Sequence, residues 1–222
     1  MRYAAGHKQA TRNRILEAAA RAIRCEGPEK VSVSSVMRAA SLTNGAFYAH
    51  FESREALVSA TVNHMFRQAQ ERFRRSVEGR PPLSGLADYF DFYLSPNHRD
   101  ERVSGCPVAF LGSDAPRMPA AVQTHFAHGV SALTGQIAAV LRAAGCGRPE
   151  AEAVLILAQM SGAVSLARGA NEDLSTQLLD EARTLLQNRL VQLGAPKAES
   201  ELSAVPAIQH SFPQDPHDIS IP

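Results

Sequence analysis

The sequence predicts an all-α protein, and three observations support this fold class. Apolar residues recur at helical spacing through most of the 222 residues, and no segment alternates polar and apolar residues over a strand's length. Gly and Pro cluster between the periodic segments, where they end helices. Because 45% of the residues are apolar, the chain can build a substantial core. We expect a small three-helix head, residues 1–56, on a larger helical body.

The head is predicted from three segments. "TRNRILEAAARAIRCEG" places its apolar residues on one face and ends at a Gly-Pro pair, so it forms the first helix. "VSVSSVMRAA" predicts a helix of about two turns with Ser34 as its N-cap. After the short link "SLT", a second short helix is expected from Asn44 to His50. Two short helices joined by a tight turn after a longer one have the outline of a helix-turn-helix unit.

The body, residues 57–194, is predicted to be helical throughout. "SREALVSATVNHMFRQAQERFRRSV" reads as a long helix capped by Ser53, and "LADYFDFYLS" as an aromatic-rich one. "NHRDERVSG" is expected to be a polar loop and "CPVAFLGSD" a short helix or turn. Two long segments after residue 118 are apolar on more than one face, which indicates central or shared helices. Residues 195–222 are Pro-rich and without period, and are expected to be disordered.

Charge is distributed unevenly along the chain. Residues 1–80 hold 14 Lys and Arg against 7 Asp and Glu, whereas the rest holds 9 basic and 15 acidic residues. A basic head on an acidic body is typical of a protein that binds a polyanion through its head. Charge alone leaves this interpretation and an ordinary solvated helical surface equally open.

Other classes of protein are disfavoured by composition. No uninterrupted apolar run approaches the roughly 20 residues of a membrane span, and the N-terminus lacks the apolar core of a secretion signal. We therefore expect no membrane association and a cytoplasmic location. The three cysteines are an odd number without a CxxC pair, which argues against a disulfide framework and a zinc site.

One stretch of the head is specific enough to indicate a family. "SVSSVMRAASLTNGAFYAHFESREAL", within residues 11–57, resembles the TetR family of bacterial transcriptional regulators. Ser41 stands where that family usually has a turn glycine, Met37 replaces a small alanine, and Asn44 replaces a commonly basic residue. The matching positions are Ser41, Leu42, Thr43, Phe47, Tyr48, His50, Phe51, Ser53, Arg54, Glu55 and Leu57.

The resemblance implies a DNA-contacting surface around the second short helix. Thr43 begins that helix, where a hydroxyl and free amides favour a phosphate. Asn44 and Ala46 lie at groove-facing positions, and Asn pairs well with adenine. Phe47 and Phe51 are expected to face inward. The predicted contacts with double-stranded DNA are Ser34, Thr43, Asn44, Gly45, Ala46, Tyr48, His50 and Arg54.

The resemblance also implies what the body does. It predicts a repressor that binds a palindromic operator as a homodimer, through helices near residues 150–193, and that an unidentified small-molecule effector releases. No cofactor, catalytic residue or metal is expected. The candidate effector-pocket residues, each of which is also a plausible core residue, are Phe66, Phe90, Tyr93, Cys106, Phe110, Met118, Phe126 and Met160.

Four alternative hypotheses remain open from the sequence. If Cys106 begins a helix, its thiol pKa falls and the protein is a redox or electrophile sensor. If Cys106 pairs with His125 or His128, the chain is a helical thiol enzyme, although no third residue orients the histidine. His125 and His128 share the spacing of zinc ligands but lack further ligands in register. A helical interaction module without DNA binding is the remaining class.

Overall fold

The computed structural model describes residues 2–101 and 103–194, and these ranges contain helices and no strand, as predicted. The predicted disorder of residues 195–222 lies outside the described residues. The α-helices are α1 (Arg2–Glu26), α2 (Val33–Ala39), α3 (Arg54–Val77), α4 (Pro82–Tyr93), α5 (Pro96–Asp100), α6 (Pro107–Leu111), α7 (Ala120–Ala143), α8 (Pro149–Gly169) and α9 (Glu172–Gly194), with 3-10 helices at Asn44–Ala49 and Ala115–Arg117.

The head is formed by α1, α2 and the 3-10 helix Asn44–Ala49, and two of its boundaries differ from the expectation. α1 begins at Arg2, well before the predicted start near Thr11. The N-cap of α2 is Ser32 rather than Ser34, because the Ser32 hydroxyl accepts a hydrogen bond from the Ser35 N–H at 3.1 Å. Ser34 lies in the first turn of α2 and is exposed.

The turn after α2 closes as a Schellman motif. The N–H of Ser41 donates to the Arg38 carbonyl at 3.0 Å, and the N–H of Leu42 donates to the Met37 carbonyl at 2.9 Å. Ser41 adopts a left-handed φ of 55°, a conformation that glycine adopts far more readily. Serine at a position expected for glycine is therefore a site of backbone strain.

Helix α3 joins the head to the body. Ser53 caps it, as predicted, by accepting a hydrogen bond from the Ala56 N–H at 3.0 Å. The helix runs through the predicted boundary at residues 56 and 57 without a break and packs against α1, α4 and α7. Head and body therefore share one continuous helix.

The body packs α4, α7, α8 and α9 around a single apolar core that is continuous with the head. The predicted polar loop is partly wrong, because Pro96–Asp100 forms the short helix α5 with Ser95 as its cap. Its Arg99 side chain is buried and donates to the Ser175 hydroxyl at 2.6 Å. The polar sequence gave no signal for this short helix, because Ser175, to which its Arg99 side chain donates, lies 76 residues further along the chain.

Helix α8 is long and apolar enough, by length and composition, to cross a membrane, which differs from the expectation that no segment qualifies. Its side chains Ile156, Met160 and Val164 are buried, and the helix packs against α7 and α9. Core helices of water-soluble proteins pass the same test, so this one helix is weak evidence for a membrane span.

Candidate nucleic-acid interface

Two buried aromatic residues hold the 3-10 helix Asn44–Ala49 in place. Phe47 is 1% exposed and Phe51 4%, which confirms that both face inward. Their rings stack with centroids 5.8 Å apart, and the guanidinium of Arg12 lies 4.2 Å above the Phe51 ring. Because the anchor is apolar and tight, the opposite edge of this short helix has a fixed position.

The opposite edge is exposed and polar. Thr43, Asn44 and Gly45 are exposed, and Ala46 is half-buried. Thr43 is the N-cap residue, but its hydroxyl makes no capping hydrogen bond. Tyr48 is 76% exposed, although its ring contacts Phe47 edge-on at 5.2 Å. A tyrosine supported on one edge and open on the other can offer its hydroxyl to a ligand.

His50 ends the 3-10 helix and is only half-buried. Its carbonyl accepts a hydrogen bond from Nη1 of Arg12 at 3.1 Å, and its Nδ1 is buried without a hydrogen-bond partner among the described residues. Burial, followed by the positive charges of Lys8 and Arg12, lowers the His50 pKa. The lowered pKa disfavours the charged imidazolium, so a phosphate contact by this ring would rely more on an N–H than on charge.

Arg54, a predicted DNA contact, is exposed and also uses its guanidinium within the head. Its guanidinium donates to the carbonyls of Val31, Pro28 and Glu29, each at 2.7 Å. These carbonyls belong to the loop between α1 and α2, which otherwise has few backbone partners. In this conformation Arg54 fixes the start of α3 against that loop, and its role as a DNA contact stays a prediction.

Two arginines of α1 also support the interface. Arg12 contacts His50 and Phe51 as described above, and Nη2 of Arg14 donates to the Ala40 carbonyl at 2.6 Å, beside the strained turn. Both lie off the apolar face of α1, so helical periodicity gave no signal for these contacts. Only the tertiary placement of the two carbonyls reveals them.

The eight predicted pocket residues do not surround one open space. Phe66, Phe90, Tyr93, Cys106 and Met160 are at most 2% exposed and are packed in the core. Phe66 contacts the half-buried Phe126 edge-on, with ring centroids 5.5 Å apart. Phe110 and Met118 line two separate surface grooves. Their role in effector binding stays a prediction.

The surroundings of Cys106 do not favour either thiol hypothesis. Cys106 precedes α6, but burial raises its pKa, and this outweighs the lowering by the nearby backbone amides and the Tyr93 hydroxyl. The Tyr93 hydroxyl lies near the thiol without forming a well-shaped hydrogen bond. The neighbouring imidazole is His98, whose Nε2 accepts a hydrogen bond from the Cys106 backbone N–H at 3.3 Å. Of the two predicted partner histidines, His125 lies 3.4 Å from the amide nitrogen of Asn63 through its Nδ1, and His128 is exposed whereas Cys106 is buried.

These features define the class of protein. A longer helix, two short helices joined by a tight turn, and an exposed polar edge on the second short helix form a helix-turn-helix head. Residues 15–61 match the family described as bacterial regulatory proteins, tetR family. The regulator UidR of Escherichia coli strain K12 is 35% identical over 71 residues, which cover 32% of this chain and 36% of UidR. The match thus spans about a third of that relative's length.

Solved structures extend the likeness to the body. The reduced form of E. coli NemR has a TM-score of 0.71 at 18% identity, covering 81% of this chain and 97% of that one. A TetR-family regulator from Cytophaga hutchinsonii has a TM-score of 0.74 at 18% identity, covering 86% and 98%. At these identities the structures establish the fold alone. The head thus matches the tetR family of bacterial regulatory proteins over residues 15–61, and the whole described chain has the fold of solved TetR-family regulators.

Proposed function

We propose that this protein is a cytoplasmic DNA-binding repressor that binds a palindromic operator as a homodimer and leaves it when a small-molecule effector binds. The observation that supports this most directly is the exposed edge of the 3-10 helix, from Thr43 to Tyr48, fixed by Phe47 and Phe51. In helix-turn-helix proteins the corresponding helix enters the major groove and its N-terminal residues contact base edges. In this chain those residues are Asn44 and Ala46.

Selection of bound duplexes from a random DNA library, followed by mobility shifts over a salt series, tests this proposal. We expect affinity to fall steeply with salt, since phosphate contacts release counterions. Tyr48→Ala should weaken all complexes similarly, with Tyr48→Phe as the control that keeps the ring, because a phosphate contact carries no sequence information. Asn44→Ala should relax preference at one base pair by about 1–3 kcal/mol. A chain that selects no sequence refutes DNA regulation, and equal losses on all sequences remove Asn44 as a base reader.

The proposed dimer forms through the apolar α8/α9 face, a set of exposed large apolar side chains on the last two helices. Several exposed large apolar side chains on neighbouring helices typically mark an interface between proteins. α8 and α9 pack against each other, so their exposed faces adjoin and can form a four-helix contact with a second copy. The residues of this face are Val154, Leu155, Leu166, Leu174, Leu185 and Val191.

Sedimentation measurements on single variants test the dimer. Leu155→Glu and Leu185→Glu each place a charge on the α8/α9 face, and we expect both to shift the protein toward monomer at concentrations where the parent is a dimer. Ala139→Glu adds the same charge at an exposed position of α7 and should leave the dimer intact. Unchanged sedimentation of both Leu variants would place the interface elsewhere.

Effector release requires the head to respond to the body, and α3 provides the connection. In the body, Phe66 of α3 packs on Gly129 of α7 so closely that an added Cβ would lie 2.1 Å from the ring. In the head, Glu17 of α1 accepts hydrogen bonds from His64 and Gln68 of α3, at 2.9 Å each. A ligand that displaces α3 in the body therefore moves α1 as well. Reciprocity requires that operator DNA weaken effector binding by the same factor.

A further inference from the structure

A groove bordered by the end of α1, by α6 and by α8 differs in charge from other surface grooves of the described chain. Its volume is about 330 Å3, and Arg24 and Arg168 border it with no Asp or Glu among the described residues that line it. Four other surface grooves of the described chain each place an acidic residue beside their basic ones. Arg168 also borders one of those, with Asp100 and Glu172, so the charge specific to this groove is that of Arg24.

Arg24 is a buried cation held by neutral acceptors. It is 6% exposed, and its Nε and Nη1 donate to the Gly105 and Val103 carbonyls at 3.1 and 2.9 Å. Its Nη2 donates to Oε1 of Gln68 at 2.9 Å. Burial, and then the charge of Arg72, lower its pKa to about 10. The charge of Glu17 raises the Arg24 pKa, but Glu17 accepts none of these three hydrogen bonds. A guanidinium has five N–H donors and a buried charge is costly, so an anion placed here gains further charge compensation and the two unused donors.

The remaining walls match a small ligand with an apolar part. The ring of Phe110 lines the groove and lies under the Arg168 guanidinium, with the ring centroid 3.6 Å from Cζ of Arg168. Ser113 and Ser165 add hydroxyl groups, and Val108 adds an aliphatic surface. The volume lies at the small end of the range, roughly 300–1,000 Å3, that ligand sites occupy.

We propose that this groove binds a small organic anion, with its carboxylate toward Arg24 and its apolar body against Phe110. Guanidinium groups recognise planar carboxylates strongly, because two parallel N–H donors match the two oxygens. The site lies outside the packed core that holds most of the predicted pocket residues. It also touches α1 of the head and α6 and α8 of the body at once.

The site deepens the proposed function, on which its regulatory meaning rests, by giving the chemical class of the effector. Arg24 ties the last turn of α1 to the segment just before α6 through its two carbonyl bonds. An anion that draws the guanidinium toward the groove would loosen or reorient that tie. Anion binding in this groove would therefore change how the last turn of α1 is held, and α1 belongs to the head.

Calorimetric titration of the full chain with benzoate, without DNA, tests binding. Benzamide is the neutral control of the same shape, and inorganic phosphate is the anion without an apolar body. We expect benzoate to bind at least about tenfold more tightly than either control, which matches one lost charge-assisted hydrogen bond. Equal affinity for benzoate and benzamide would overturn the need for an anion. Equal affinity for benzoate and phosphate would overturn the organic class.

Substitutions at residues of the groove test whether benzoate binds there. Arg24→Gln should lose the preference for benzoate, whereas Arg21→Gln, which removes a charge from an exposed position of the same helix, should keep it. Because Arg24→Gln removes internal bonds too, Ser113→Asp provides a second test that leaves Arg24 intact and puts a carboxylate on the groove wall. Unchanged benzoate affinity in Ser113→Asp would refute the site. Since no DNA is present, failure here leaves the DNA proposal standing, and failure to select an operator leaves the anion site standing.

Discussion

Replacing Ser41 with glycine should stabilise the protein. Ser41 occupies the C′ position of the Schellman motif that ends α2, with φ at 55°. A side chain in this left-handed region costs about 1–2 kcal/mol, because its Cβ crowds the following carbonyl. Ser41 is exposed, so its removal loses little packing. Ser41→Gly relieves the crowding and keeps both turn hydrogen bonds, which are made by the backbone.

The gain is reduced by the greater freedom of glycine in the unfolded chain, which costs about 0.5–1 kcal/mol. The net expectation for Ser41→Gly is a stabilisation of about 0.5–1 kcal/mol, or roughly 1–4 °C in Tm for a chain of this size. Urea unfolding at one fixed protein concentration measures it, because dimerisation would otherwise shift the midpoint.

Two further substitutions at the same position separate strain from other effects. Ser41→Ala keeps a Cβ and should give no gain, whereas Ser41→Val should cost more than Ser41→Ala, since a β-branched residue tolerates positive φ worst. If Ser41→Ala stabilises as much as Ser41→Gly, the left-handed backbone is not the source of the effect. If Ser41→Gly destabilises, the strain assigned to this turn is absent.

Three other perturbations test specific contacts. Gly129→Ala should destabilise by about 1–3 kcal/mol in urea unfolding, because the new methyl would overlap the Phe66 ring, while Gly135→Ala, in open space on the same helix, should not. His98, whose pKa burial lowers to about 4, should make stability rise by up to about 3 kcal/mol from pH 4 to 6.5, since the unfolded chain binds more protons there; His98→Gln should flatten that slope. Arg54→Gln should lower the unfolding free energy by about 1–2 kcal/mol but leave the salt slope of DNA binding nearly unchanged, whereas a slope lower by about 1 would show that Arg54 contacts a phosphate.

The sequence sufficed to predict the features that depend on burial and local capping. The fold class, the inward positions of Phe47 and Phe51, and the Ser53 cap follow from periodicity and short-range hydrogen bonding, and the structure confirms them. The strained Ser41 turn could also be anticipated, because a turn of this kind ordinarily needs glycine. The N-cap of α2 is Ser32 and not the predicted Ser34, because several serines lie close together in the sequence and only the three-dimensional geometry selects among them.

The long-range polar contacts could not be predicted. Several of them join an arginine to a backbone carbonyl, and every residue has a carbonyl, so the sequence contains no pattern that identifies the acceptor. Arg24 and Gly105 are 81 residues apart, and Arg54 and Val31 are 23 apart. The groove next to Arg24 depends on such a contact, which is why neither it nor its charge was visible in the sequence.

The arginine–carbonyl hydrogen bonds affect how many basic residues of the head are available to contact DNA phosphates. Arg12, Arg14, Arg24 and Arg54 all donate to backbone carbonyls, so part of the positive charge counted in the first 80 residues serves the fold. A charge used in this way still contributes to the long-range field, but it makes fewer direct phosphate contacts. The salt slope of operator binding counts direct contacts, at about 0.9 per neutralised phosphate, and should therefore be smaller than the 14 basic residues of that segment would give.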